Sequence, residues 1–145
     1  MTIDPRNPVV ALCAAGMAIE GDAVAAMALF EQAWAARTDD YDASIAAHFL
    51  ARHQATTEQR VHWNALAVAH AEAVPDGRAD EFMASLYLNL ADTLSTAGDH
   101  ASAQEALAKA VARVSALPDT GYRSFVERGI VGVRERLTTR SDSSG

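Results

Sequence analysis

Four of the five histidines, His48, His53, His62 and His70, crowd into one short stretch of the chain. Imidazole is the commonest metal ligand and the one side chain that ordinarily titrates near neutrality. Their spacing argues against a metal centre. His48 and His53 stand five residues apart, about 140° round a helix, and neither belongs to a ligand pair one turn apart of the His-Glu-x-x-His kind. His53 and His62 fall on interior positions of consecutive helices, so a hydrogen-bonded core pair is expected there and no metal. The lone cysteine, Cys13, sits among apolar neighbours and reads as an inert buried thiol in a reducing compartment. No glycine-rich phosphate loop, Ser-His-Asp order, Cys-x-x-Cys pair or dinucleotide fingerprint occurs. No catalytic residue and no cofactor are therefore expected, and the chain reads as a non-enzyme. Trp34 and Trp63 read as packing residues between helices rather than as a ligand platform.

The elements that must position these residues are helices. Half of the 145 residues are apolar, aromatics make up 6%, and mean hydropathy is near zero. Alanine dominates, which favours closely packed helices over strands. A net charge of −7 should repel phosphate backbones, so no nucleic acid is expected as a ligand. No run approaches the roughly 20 apolar residues needed to span a bilayer. The run from Val9 to Ile19 follows Asp4 and Arg6 and is a poor signal peptide. A cytoplasmic protein that makes no membrane contact is the expectation.

Turn formers paired with capping residues occur at Gly21-Asp22, Asp39-Asp40, Thr56-Thr57, Pro75-Asp76-Gly77, Gly98-Asp99 and Pro118-Asp119. They predict seven helices over positions 8–20, 23–37, 41–55, 58–74, 79–97, 100–116 and 120–138, with a disordered tail over 139–145. Gly21 and Gly98 are both expected in the left-handed conformation that closes a helix.

Superimposing the two Gly-Asp breaks exposes a repeat. Aligning Gly98 on Gly21 sets Ala103 on Ala26, Leu107 on Phe30 and Ala110 on Ala33. Upstream, Tyr87 falls on Val10, Leu90 on Cys13, Ala91 on Ala14 and Leu94 on Met17. A middle copy centred on Thr57 places Ala46, Phe49, Leu50 and His53 before the break and His62, Leu66 and Ala69 after it. Leu50 and His62 stand there where a small residue would let the helices close. The stretch "LYLNLADTLSTAGDHASAQEALAKAV" resembles one unit of the tetratricopeptide repeat family, as found in small bacterial proteins of this type.

The resemblance implies an all-α, right-handed solenoid of three helical hairpins, about 8–37, 41–74 and 79–116, in a single domain over 1–138. The helix at 120–138 would cap it through Tyr122, Phe125, Val126, Ile130, Val133 and Leu137. The family's concave groove would here be lined by Ser44, His48, Ala51, Gln54, Ser85, Leu88, Asn89, Asp92 and Ser95, with Ala11, Ala15, Ala18 and Ala47 beside them. Asn89 falls where the family often holds a peptide backbone. The function implied is a scaffold or adaptor that binds a protein or peptide partner. A small-molecule or metal-binding protein with a pocket near His48 and Asn89, or an enzyme of unknown type, stand as alternatives.

If the histidines are structural, adding zinc to the metal-free protein should leave its melting temperature unchanged, since a ligand stabilises only by binding the native state. A stoichiometric rise that a chelator reverses would overturn this.

Overall fold

Side-chain caps start five of the helices. Asn7 accepts the amide of Val9 with Pro8 at the first helical position, and Asp22, Asp39 and Asp99 accept the amides of Ala25, Asp42 and Ser102. Thr56 and Gln59 form a reciprocal capping box. Each satisfies an amide that the first turn leaves without a partner. The structure is a computed structural model that describes residues 4–143, with side chains as far as Thr139.

The helices are α1 (Pro8–Ala18), α2 (Ala23–Ala35), α3 (Asp40–Ala51), α4 (Thr57–Ala73), α5 (Asp80–Thr96), α6 (His100–Val114) and α7 (Gly121–Ser143). Among the described residues there is no strand, and the protein is all-α. Predicted and observed helices agree in number, order and approximate bounds. The tail does not follow the prediction: α7 runs on to Ser143, because no glycine or proline interrupts positions 133–143 and Thr138 and Thr139 donate to the carbonyls of Arg134 and Glu135. The end of the expected disordered tail, Ser144 and Gly145, lies outside the described residues.

The chain, expected to be a single domain, divides into two compact units at Asp80. The division follows the Pro75-to-Arg78 loop, where Gly77 takes a positive φ of 78°. Arg78 ties this loop back to the first unit, with its guanidinium 4.6 Å above the Tyr41 ring and paired to Asp76 at 2.8 Å.

In the first unit, α1 and α2 form a hairpin whose centre is Phe30. The ring is fully buried and lies so close to α1 that a Cβ on Gly16 would fall 2.3 Å from it. Phe30 also stacks on Phe49 at 5.2 Å and on His53 at 5.8 Å, which brings α3 into the same core. Val9, Cys13, Ala26, Ala33, Ala46 and Leu50 complete it. The close approach is at Gly16, while Ala14, the position aligned with Ala91, is exposed. Gly21 has no positive φ either, and the hairpin closes instead through the Asp22 amide donating to Ile19.

On α4 the inward stripe is Asn64, Ala67, Val68 and Ala71, while His62 and Ala69 are exposed and Leu66 is half-buried. The expected interior register through His62, Leu66 and Ala69 is therefore wrong. The true stripe opens with a polar Asn64 and continues mostly with alanines, so it carries little hydrophobic contrast. Trp34 of α2 meets Trp63 of α4 edge to face at 5.0 Å, which is the packing role expected of both.

In the second unit, Gly98 at φ 86° closes α5, with the Asp99 amide donating to Leu94. Tyr87 and Lys109, eleven residues on either side of Gly98, meet as a cation over a ring at 5.6 Å, as antiparallel helices require. Ala103, Leu107 and Ala110 are buried at the positions equivalent to Ala26, Phe30 and Ala33. Helix α7 covers the hairpin with Val126, Ile130, Val133 and Leu137, whereas Phe125, expected on that buried side, is 67% exposed.

Gly16 of α1 and Gly132 of α7 should respond oppositely to a methyl group. Gly16→Ala forces a Cβ into the immobile Phe30 ring and should destabilise by about 1 to 3 kcal/mol. Gly132→Ala meets nothing within 4 Å and should stabilise by about 0.5 to 1 kcal/mol through helix propensity. Urea unfolding of the two variants checks both signs.

Candidate functional site

The histidines do not converge. His53 is joined to Glu20, its Nε2 at 2.7 Å from Oε2, and Arg52 grips the same carboxylate through Nε and Nη2, each at 3.0 Å. Burial pushes the Glu20 carboxyl up, but the His53 hydrogen bond and the Arg52 guanidinium outweigh it and hold Glu20 below the usual carboxylate range. His70 pairs with Asp40 at 2.8 Å, between α4 and α3. His62 is exposed, so the expected contact between His53 and His62 does not form. Among the described residues no group of three or more His, Cys, Asp or Glu side chains is placed to hold a metal ion.

Two buried groups are held by the fold in inert states. Cys13 is buried, and desolvation lifts its thiol to about 12, so no thiolate forms at neutral pH. Asp42 is buried at the start of α3. It accepts Asn7 Nδ2 at 2.8 Å and both the amide and the hydroxyl of Thr38, which makes it a structural node between the starts of α1 and α3. The Asn7 side chain thus caps its own helix and steadies the start of α3.

The residues expected to line a concave groove are largely engaged. Ser44, Ala51 and Ser95 are buried, as is Ala47, and the Ser44 hydroxyl donates to the Tyr41 carbonyl. Gln54 is half-buried and donates to the carbonyl of Leu50. Ala11, Ala15 and Ala18 are exposed on α1, and Asn89 is half-buried on α5. His48 is half-buried against Phe49, and burial, helped by the charge of Arg52, lowers it to about 4.

Within the second unit the reason for this engagement is explicit. Ser85, Leu88 and Asp92 share one side of α5, and α7 occupies that side. Ser85 shares a hydrogen bond with the Tyr122 hydroxyl at 2.9 Å, a Cβ on Gly129 would meet Leu88 at 2.6 Å, and Arg136 pairs with Asp92. Tyr122, Gly129 and Arg136 recur every seven residues, a line along one side of α7. Ser85, Leu88 and Asp92, expected to line an open groove, therefore each meet a residue of α7. The sequence places these three on one helix face but does not say what covers it.

An open groove does exist elsewhere in this unit, between α6 and α7. It has a volume of about 270 Å³ and is lined by Gln104, Leu107, Ala108 and Val111 of α6 and by Arg134, Leu137 and Thr138 of α7. Its floor is apolar and its edges polar. None of the residues predicted to bind a partner lines it. The sequence signal was present: Gln104, Ala108 and Val111 follow one another at helical spacing on the side of α6 away from Ala103, Ala106 and Ala110. Arg134 donates to no carboxylate among the described residues, whereas Arg123 is held by Glu127 at 2.9 Å and Arg136 by Asp92. No family model, curated protein or solved structure matches the chain.

His48 gives this region a pH dependence with a definite sign. The folded state keeps it neutral down to about 4, while in the unfolded chain it binds a proton near 6.5, so stability should fall as pH drops from 6.5 towards 4. The expected loss is about 2 to 3 kcal/mol. Urea unfolding at pH 7.5 and 4.5 should show it in the wild type and show a smaller loss in His48→Gln; equal losses would exclude His48 as the cause.

Proposed function

We propose that this chain is a tetratricopeptide-like protein-interaction module, with α1–α2, α3–α4 and α5–α6 as its repeating hairpins and α7 as its cap. It serves a bacterial cytoplasm as a scaffold or adaptor and catalyses no reaction. Support for the repeat comes from the matched burial of Ala26, Phe30 and Ala33 with Ala103, Leu107 and Ala110, and from the Asp22 and Asp99 caps before them.

The observation that carries the functional reading is the groove between α6 and α7. It joins an apolar floor of Leu107, Ala108, Val111 and Leu137 to a rim bearing a guanidinium, a carboxamide and a hydroxyl. Such a surface suits a partner segment with an apolar face. The α5 side formerly assigned to binding is less suited, because three of its polar and apolar groups are already satisfied by α7.

The test compares two variants in capture from cell extract and then with the purified partner. Val111→Asp places a charge on the groove floor and should weaken binding at least about tenfold, while its melting temperature stays close to wild type because Val111 is 38% exposed. Asn89→Ala should bind as wild type does. The opposite pattern, with loss in Asn89→Ala and retention in Val111→Asp, would return the binding surface to α5 and reject the groove.

A further inference from the structure

The groove between α6 and α7 also specifies the kind of segment it takes. We infer that its occupant is an amphipathic helix of a partner protein that lays apolar side chains on Leu107, Ala108, Val111 and Leu137 and sets a carboxylate against Arg134. This rests on the reading of the groove as the binding surface and goes beyond it by naming the partner's chemistry.

Three observations carry the inference. First, Gln104, Ala108 and Val111 span two turns of α6, about 10 Å, the length over which a helix presents residues at i, i+3, i+4 and i+7. Ala108 at the middle carries only a methyl group, so a facing helix can approach to the roughly 8 to 10 Å between axes that close packing needs. An extended peptide has no comparable purchase, since the described residues contain no strand whose edge it could join.

Second, the volume of about 270 Å³ lies below the range of about 300 to 1,000 Å³ typical of sites that enclose a small molecule, and this site is an open groove. A row of side chains from a larger body fits such a surface better than a free metabolite, most of whose area would stay in water.

Third, the one charged side chain lining the groove is Arg134. It stands beside an apolar floor with no acidic partner among the described residues, while the neighbouring arginines Arg123 and Arg136 are each neutralised within the fold. A guanidinium at the edge of an apolar strip takes a carboxylate in a two-pronged hydrogen bond, and the strip excludes water from one side of that pair. As the one charged side chain lining the groove, this cation also sets the orientation of a segment that carries a carboxylate.

The experiment uses the full chain and two synthetic 18-residue amphipathic helices with the same Leu and Ala face. One carries glutamates along the edge of that face, and the other carries glutamines in their place. Titration followed by amide and methyl NMR should shift the signals of Ala108, Val111 and Leu137. The glutamate peptide should bind about three- to fivefold more tightly at low salt. In Arg134→Gln that preference should vanish while both peptides still bind. If the two peptides shift the groove signals with equal affinity for wild type, the carboxylate inference is overturned and the groove reading stands. If neither peptide shifts those signals, or the shifts fall on other helices, both are overturned.

Discussion

Phe30 lying against the bare backbone of Gly16 is the contact on which the first unit depends. A helix hairpin joined by four residues closes tightly only where one helix offers no side chain, and Gly16 supplies that place. The ring fills it and remains fully buried, which is worth about 1.5 to 3 kcal/mol from area alone. Its other surfaces stack on Phe49 and His53, so one aromatic side chain fixes α3 relative to the α1–α2 hairpin. His53 is in turn held by Glu20, and Glu20 by Arg52, so the core contact is locked from the rim by charges the hairpin turn itself provides. The histidine that first suggests a metal site is a wedge between an aromatic ring and a carboxylate.

The second unit has a different logic. Its hairpin carries two alanines and a leucine where the first has two alanines and a phenylalanine, and no glycine lies opposite Leu107. Its stability draws instead on α7, which buries one apolar edge and offers three further contacts to α5 at seven-residue intervals. Those contacts engage a face that a sequence comparison assigns to a partner. A helix that covers the end of a hairpin and a helix that lies along the face of α5 obey the same pattern of apolar spacing, and only the third dimension separates them.

That difference marks what the sequence discloses. Starts and stops of helices are local: Asp22, Asp39, Thr56 and Asp99 cap amides three residues away, and each was legible where it stands. The alanine spacing of α2 and α6 was legible for the same reason. The inward side of α4 was not, since Asn64 begins it and a polar residue hides the stripe. Nor was the pairing of His53, because Glu20 sits 33 positions earlier on a turn and no spacing rule links the two. The end of α7 was misjudged because a run of threonine and serine resembles a linker, yet threonine hydroxyls bonded to carbonyls one turn back are compatible with a helix. Of the candidate site, Ser44, His48 and Ala51 fall on α3 and Ser85, Leu88, Asn89, Asp92 and Ser95 on α5, all but Asp92 buried or half-buried, and the α6–α7 groove was missed because half of it belongs to a helix read only as a cover.

Charge separates the groove from the remainder of the chain. Five of the twelve basic residues fall within α7, against three of the nineteen acids, and of these five Arg134 is the one that lines the groove. Within a Debye length of about 8 Å this local sign, and not the net charge, is what an approaching segment meets. A long polyanion would meet the net charge of −7 as well. A short acidic helix that reaches only the groove feels Arg134 first. The same composition that argues against nucleic acid therefore leaves room for an acidic helix, provided its apolar side matches the floor that Leu107, Ala108, Val111 and Leu137 present.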